Sequence, residues 1–140
     1  MAQRMLVLLT LAICLVPGRI ALAQQDKEAA ALASAKAWLA VVDTGHYAQS
    51  WDDAAGIFKG AVIKERWVEL LETGRKFMGE VVFRKLLKTN YQTCLPGAPD
   101  GQYVVIQFET AFTNKKKAVE TITPTLDKDG RWRVSGYFIK

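Results

Sequence analysis

Residues 103–112 read YVVIQFETAF, and this stretch decides the fold. In an extended chain, one face of it carries Val104, Ile106, Phe108, Thr110 and Phe112. The opposite face carries Tyr103, Val105, Gln107, Glu109 and Ala111. Alternation with a period of two residues predicts a β-strand that packs one face on a core and turns the other outward.

Three more strands flank this one in the sequence. We predict one over Glu80–Asn90, one over Ala118–Leu126 and a last one over residues 132–138. Turn residues separate them, and Lys115–Lys117 is expected at a hairpin tip. Pro124 cannot donate to a ladder, so it predicts a bulge or a free edge. The last strand is expected to turn its apolar side chains to the core, namely Trp132, Val134, Gly136 and Phe138.

The chain before these strands follows a helical period instead. Asp26 is a candidate N-cap, and Gly45 is expected to end the first helix. Between them, apolar residues at spacings of three and four form one stripe: Leu32, Ala35, Leu39 and Val42.

Two shorter helices are predicted before the first strand. The second helix is expected from His46 to about Ala55, followed by a break around Ile57 and Phe58. The third is expected over residues 62–77, and Gly79 ends it.

Helices first and antiparallel strands second indicate an α+β domain. We expect the N-terminal helices to pack on a curved, four-stranded antiparallel sheet, a cone-like arrangement that often leaves a cavity between the layers. The tryptophans lie on predicted inward faces, so core packing is the simplest interpretation of each. The side chains that would line a ligand cavity are Trp38, Trp51, Trp67 and Phe108.

The N-terminus has the pattern of an export signal. Arg4 precedes the apolar run Met5–Val16, and Ala21-Leu22-Ala23 is a small-residue cleavage motif. We therefore predict a signal peptide over residues 1–23, cleaved after Ala23, and a single α+β domain over residues 24–140 that works in the periplasm or outside the cell. A run of twelve apolar residues is short for a bilayer span, which needs about 20, so no stable membrane span is expected after cleavage.

Charge and cysteine content restrict the function further. The whole chain has a formal net charge of +5, and loss of Arg4 and Arg19 with the signal lowers it to +3. So small a positive charge does not indicate a nucleic-acid partner. Cleavage also removes Cys14, which leaves Cys94 as a single thiol, interpreted as a small apolar residue at a strand end.

Several motifs together resemble known families. The opening Trp38-Leu39 … Asp43-x-Gly45-x-Tyr47-x-x-Ser50-Trp51 and the ending Asp129–Tyr137 resemble nuclear-transport-factor-2-like domains, which belong to the cystatin-like cones. More closely, residues 30–140 resemble the exported bacterial family called domain of unknown function 4019. The residues that carry this resemblance are Trp67, Arg75, Gly79, Arg84, Leu95-Pro96-Gly97, Pro99-Asp100-Gly101-x-Tyr103, Glu120-Thr121-x-Thr123 and Gly136-Tyr137-Phe138-Ile139. The resemblance to this family implies no particular activity.

One cluster near the first helix junction could support acid–base chemistry. It comprises Asp43, His46, Tyr47, Asp52 and Asp53. Some cone-shaped relatives use an aspartate base with a tyrosine donor, and burial raises the pKa of such a carboxyl. Hydrogen bonding to nearby backbone is the simpler interpretation of Asp43 and Tyr47. His46 has no second histidine or cysteine at ligand spacing, so neither a metal nor another cofactor is predicted.

The second face of the sheet is the candidate partner surface. Aromatic residues and arginine are enriched in interface cores, and the candidates here are Tyr103, Glu109, Arg133 and Tyr137. A cross-strand ion pair between Glu109 and Arg133 on a wet sheet is the simpler alternative.

The leading hypothesis is a non-enzymatic domain that binds a small apolar ligand or a protein partner. The alternative is a small hydrolase or isomerase that uses Asp43 and Tyr47. A homodimer formed through the sheets is compatible with either.

Overall fold

The computed structural model describes residues 17–140, and it has the α+β architecture that the sequence predicts. The helices are α1 (Pro17–Asp43), α2 (Tyr47–Asp52), α3 (Gly56–Ala61) and α4 (Lys64–Leu70). The strands are β1 (Val81–Gln92), β2 (Tyr103–Phe112), β3 (Lys115–Leu126) and β4 (Trp132–Ile139). Within this part of the chain, no helix is long and apolar enough to cross a membrane.

α1 extends further toward the N-terminus than predicted. Asp26 lies inside the helix and does not cap it, because helical backbone continues back to Pro17. The side chains of residues 18–26 are exposed, and the first fully buried side chain is Ala31. Gly45 follows the helix end with a positive φ of 78°, as the sequence predicts. Most of the predicted signal peptide, including Cys14, lies outside the described residues.

The helices between α1 and the sheet are shorter and more numerous than predicted. The expected break at Ile57 and Phe58 is wrong, because α3 forms there and buries Phe58. The predicted third helix is α4, which continues as a π-helical segment at Leu71–Arg75 and a 3₁₀ turn at Lys76–Met78.

Gly79 ends this helical segment for a steric reason. Its φ is 82°, and a Cβ placed on it would lie 1.9 Å from the Thr113 Oγ1. That hydroxyl accepts a hydrogen bond from the Glu80 N–H at 3.1 Å. The chain can therefore turn into β1 only if this position has no side chain.

The four strands form one antiparallel sheet in the order β1-β2-β3-β4, so β1 and β4 are its two edges. β1 has two register shifts, one between Val81 and Phe83 and one between Leu86 and Lys88. Lys115–Lys117 belongs to β3, and the hairpin turns at Thr113-Asn114 instead. The helices pack on one face of the sheet, here called the inner face, around a core that includes Leu39, Trp67, Ile106 and Val134.

Pro124 causes the predicted bulge, and the bulge changes the facing of β4. The register shifts between Thr123 and Pro124, so that Pro124 pairs with Val134 while Ile122 pairs with Tyr137. Trp132 and Val134 therefore share the inner face with Tyr137. The expectation that Phe138 faces the core is wrong, since its side chain is 50% exposed on the outer face.

Candidate functional site

Asp43 lies at the end of α1, where two arginines hold its carboxylate. Arg75 donates from Nη2 to the Asp43 Oδ1 at 3.0 Å. Arg84, on the inner face of β1, donates to both oxygens at 2.7 and 3.0 Å. Bidentate contact of this kind is the strongest form of ion pair between side chains. An arrangement of this kind occupies the lone pairs that a general base would use.

The same arginine joins Asp43 to a second, fully buried carboxylate. Arg84 Nε donates to the Glu120 Oε1 at 2.7 Å, and the Thr110 hydroxyl donates to the same oxygen at 2.6 Å. The hydroxyl of Tyr137 donates to the Glu120 Oε2 at 2.5 Å. The ionic cluster, as we call Asp43, Arg75, Arg84, Glu120 and Tyr137, contains two positive and two negative charges.

The pKa shifts in the ionic cluster follow from burial and from these contacts. Burial of Tyr137 raises the pKa of its phenol well above the usual value, and the neighbouring Glu120 carboxylate raises it further. Burial works against the charge of Arg84, but hydrogen bonds to Asp43 and Glu120 outweigh it and raise its pKa. Tyr137 thus stays a neutral donor and Arg84 stays a cation.

Tyr47 lies beside the ionic cluster but outside its hydrogen bonds. Its side chain is buried at the start of α2, and this burial raises the pKa of the phenol. It lines an open groove of about 340 Å³ together with Asp43, Glu72 and Arg75. The structure thus brings Asp43 and Tyr47 to one groove, where Asp43 is already paired twice.

The four cavity candidates pack into the core. The Trp38 ring lies 6.0 Å from Trp67 and 5.3 Å from Tyr137, centre to centre. Phe108 is 2% exposed, and Trp51 packs at the margin of the same cluster. The indole N–H groups of Trp38 and Trp67 both donate to Ser50, at 2.7 and 2.9 Å. These side chains pack between the helices and the sheet, where a ligand cavity was expected. Small open grooves of about 230–260 Å³ are bordered by three of them, Trp38, Trp67 and Phe108.

The four residues of the predicted partner surface do not lie together in the structure. Tyr137 is not on the outer face, because the bulge at Pro124 turns it toward Glu120 and Trp38. The alternative ion pair between Glu109 and Arg133 is also wrong. β3 separates the two residues, and Arg133 bonds Asp127 and Asp129 at 2.7–2.9 Å instead. The Arg133 contact holds the pKa of Asp129 at about 2.

Tyr103 and Arg133 do lie together on the outer face. They line an open groove of about 620 Å³ at one end of the sheet, between the Pro99–Gly101 loop and the Asp127–Asp129 turn. Glu109 lies elsewhere on that face, in register with Lys85 and Val119. Of the predicted surface, only these two residues thus form part of one concave site.

The outer edge of β1 is a feature that the sequence reasoning missed. Four large apolar side chains are exposed along it: Val82 (65%), Phe83 (48%), Leu86 (38%) and Leu87 (49%). The paired apolar residues in the run 81–87 break the alternation of a half-buried strand. That irregularity is the signal that could have identified it.

A narrow groove accompanies this edge on the inner face. The α1–β1 groove encloses about 240 Å³ and is lined by Lys36, Leu39, Ala40 and Asp43 of α1, Arg84 and Leu86 of β1, and Phe108 of β2. The α1 residues follow helical spacings of three and four, so one stripe of α1 forms its wall.

Metal chemistry has no support in the described residues. Between positions 17 and 140, no three histidine, cysteine or acidic side chains converge as metal ligands would. His46 Nδ1 shares a 2.8 Å hydrogen bond with the hydroxyl of Thr44. Cys94 lies just beyond the end of β1, close to the strand end where the sequence predicts it, and its side chain is exposed.

Comparison with known proteins gives one result. The sequence model of a family described as "Protein of unknown function (DUF4019)" matches residues 34–137. No curated protein and no solved structure matches the chain.

Proposed function

Because this chain belongs to DUF4019, a family of proteins of unknown function, we propose its function from its structure. It is an exported, non-enzymatic binding domain that holds an extended segment of a partner protein against the outer edge of β1. The supporting observation is that the two edges of the sheet are protected differently.

The edge formed by β4 is partly covered by the protein itself. The Ser34 hydroxyl donates to the Trp132 carbonyl at 2.7 Å, and the Ala55 N–H donates to the Val134 carbonyl at 2.8 Å. α1 and the residue that precedes α3 thus satisfy outward backbone groups of β4. Capping of this kind hinders another strand from pairing with the Trp132–Val134 part of that edge.

The edge formed by β1 is capped only near its end. Glu28 of α1 accepts from the Tyr91 N–H at 3.3 Å and from the Thr89 hydroxyl at 2.5 Å. Over Val82–Lys88, which we call the open edge, no hydrogen bond from the rest of the described chain reaches the backbone from outside the sheet. Natural proteins usually cover or charge such edges, and Lys85 and Lys88 do charge this one. Four exposed apolar side chains remain beside them, and an exposed apolar patch of this kind indicates a site that another chain covers.

The interior supports a binding role over a catalytic one. The carboxylates of Asp43 and Glu120 are both paired with arginine, and the aromatic residues pack between the layers. Paired in this way, the two carboxylates help to hold the sheet to α1. Exposed apolar side chains and backbone without a hydrogen-bond partner outside the sheet lie on β1.

A second copy of the chain fits the open edge less well than a different partner does. Antiparallel pairing of two β1 strands about an axis between Lys85 and Lys88 would bring these lysines of one copy close to the same residues of the other. Like charges in directly opposed positions are destabilising. The proposal therefore commits to an extended segment of another protein.

Site-specific photo-cross-linking in the exporting cell tests the proposal. A photoreactive residue replaces Leu87 in one variant and Phe138 in the other, two positions of nearly equal exposure on opposite edge strands. We expect one discrete adduct from position 87, none from position 138, and loss of that adduct when Leu86→Lys is added. Ile57→Lys, at a residue as exposed as Leu86 (37% against 38%), is the control and should leave the adduct intact.

Three outcomes would contradict the proposal. Adducts of the same mass from both positions would indicate unspecific contact, and the absence of any adduct from position 87 would leave the open edge without a partner. An adduct at twice the mass of the chain would identify a second copy as the occupant.

Export is tested separately by intact-mass measurement. Purified from the compartment where it accumulates, the protein should begin at Gln24. A mass that retains Met1–Ala23, or a lipid adduct on Cys14, would contradict export as a cleaved, lipid-free domain.

A further inference from the structure

We infer that the segment held by the open edge alternates apolar and acidic residues, with its apolar side chains toward α1 and its acidic side chains on the outer face. This inference rests on the proposed function and specifies the chemistry of the partner. It follows from the side chains that β1 presents on its two faces.

The inner face of β1 offers an apolar slot. A strand added to β1 continues the pleat, so its side chains opposite Arg84 and Leu86 would point toward the α1–β1 groove. Leu39 and Phe108 form the buried part of that groove, and Leu86 is its exposed apolar wall. Asp43 and Arg84 also line it, but each is the other's ion-pair partner at 2.7 Å. An aliphatic side chain therefore fits the slot, and a charged one would meet groups that are already paired.

The outer face of β1 is basic along the same stretch of the strand. Lys85 and Lys88 are exposed there, in register with Glu109 and Gln107 of β2. Neither lysine has an ion-pair partner among the described residues. Lys36, at the rim of the α1–β1 groove, is unpaired in the same sense. Side chains of an added strand that point outward would lie beside Lys85 and Lys88, where carboxylates are favoured.

The register shift between Leu86 and Lys88 allows a regularly alternating partner strand to match both lysines. Leu87 occupies the bulge, so Lys85 and Lys88 face the same side of the sheet although three positions separate them. A partner strand without a bulge can thus face both lysines with acidic residues two positions apart, while the residue between them enters the groove beside Leu86.

Binding of defined peptides tests the inference. Fluorescence anisotropy would measure the affinity of the protein, purified as the cell processes it, for a labelled ten-residue peptide of alternating Val and Glu. Alternating Val–Gln and Val–Lys peptides serve as probes of the same strand propensity. At low salt we expect the Val–Glu peptide to bind about tenfold more tightly than Val–Gln. Val–Lys should bind more weakly than both.

Two variants separate the inference from the proposed function. In Lys85→Gln/Lys88→Gln, the preference for Val–Glu over Val–Gln should fall to about twofold or less. Lys116→Gln/Lys128→Gln, at exposed lysines away from β1, should retain the preference. In Leu86→Lys, all three peptides should lose affinity at least tenfold because the groove wall is lost.

Each alternative outcome has one meaning. Equal affinity for Val–Glu and Val–Gln, with both lost in Leu86→Lys, would overturn the acidic partner and leave strand addition standing. Absence of binding by all three peptides, or binding that is unaffected by Leu86→Lys, would contradict strand addition at the open edge itself.

Discussion

The ionic cluster and the open edge meet on β1, where Arg84 of the cluster lies between residues of the open edge, yet their side chains are in opposite states. Arg84 points inward and is bonded to two carboxylates, whereas Leu86 and Leu87, two and three positions later, are exposed. In the cluster each charge has a partner inside the chain. At the open edge, the apolar side chains and the outward backbone have none among the described residues. The comparison teaches that residues which hold the fold and residues available for binding can alternate along one strand, and mutations should separate the two.

The largest loss of stability is expected when the charge that links α1 to the sheet is removed. Arg84→Met removes the partner of Glu120, which is fully buried, and should reduce the free energy of unfolding by about 3–5 kcal/mol because an unpaired carboxylate remains inside. Chemical denaturation measures the change. Arg66→Met is the matched control, since the Arg66–Glu69 pair is exposed and should contribute at most about 0.5 kcal/mol. Equal losses in the two variants would show that the cluster does not hold the fold.

A smaller effect is expected at the tyrosine of the cluster. Tyr137→Phe leaves one oxygen of Glu120 without its donor and should cost about 1.5–3 kcal/mol at pH 7. Tyr103→Phe is the control, because the hydroxyl of Tyr103 donates to a neutral carbonyl, that of Pro99, and its loss should cost about 0.5–1.5 kcal/mol.

The pH dependence of the same variant gives a second test. The pKa of Tyr137 is raised in the folded state, so the neutral phenol contributes stability below the unfolded pKa of about 10. That contribution is lost as the pH rises above about 10 toward the folded-state pKa. Wild type should therefore lose stability more steeply than Tyr137→Phe between pH 10 and 11, and parallel curves would contradict this role.

The sequence predicts the local features of the fold better than it predicts the ionic cluster. The alternation in Tyr103–Phe112, the glycine after α1 and the bulge at Pro124 all follow from local rules, and the structure confirms them. The ionic cluster depends on register instead. Arg84 meets Glu120 only because β1 and β3 both pair with β2, which brings together residues 36 positions apart.

The errors in the sequence-based predictions have a similar cause. The bulge at Pro124 was predicted, but its effect on the facing of Tyr137 and Phe138 requires the pairing partners of β4. Helix α3 was missed because Gly56 and Gly60 are weak helix formers, and packing of Phe58 in the core outweighs their propensity. Glu120 did carry a usable signal, since an acidic residue in period with Ala118 and Ile122 on an apolar face requires a partner.

At the open edge, substitutions should affect binding and leave stability nearly unchanged. Phe83→Lys should alter the free energy of unfolding by no more than about 0.5 kcal/mol, since the side chain is already half exposed. Phe138→Lys, at a phenylalanine of similar exposure on β4, should match it. A loss above about 2 kcal/mol for Phe83→Lys alone would mean that β1 packs more tightly than the open edge implies.

The smallest change in stability is expected when the N-terminal residues are removed. Removal of residues 1–23 should change the free energy of unfolding by less than about 0.5 kcal/mol, because the side chains of residues 18–23 are exposed and the core begins at Ala31. Denaturation of the whole chain and of residues 24–140 provides the comparison. A large loss on truncation would show that the first turns of α1 belong to the folded unit.

Amide hydrogen exchange is the most direct test of the claim that β1 is the binding edge. Residues 24–140, saturated with the alternating Val–Glu peptide, would be compared with the same protein alone. We predict exchange at least tenfold slower for amides within Val82–Lys88, and no change in β4 or at the groove beside Arg133. Slower exchange in β4 or in that groove, with β1 unaffected, would contradict the account.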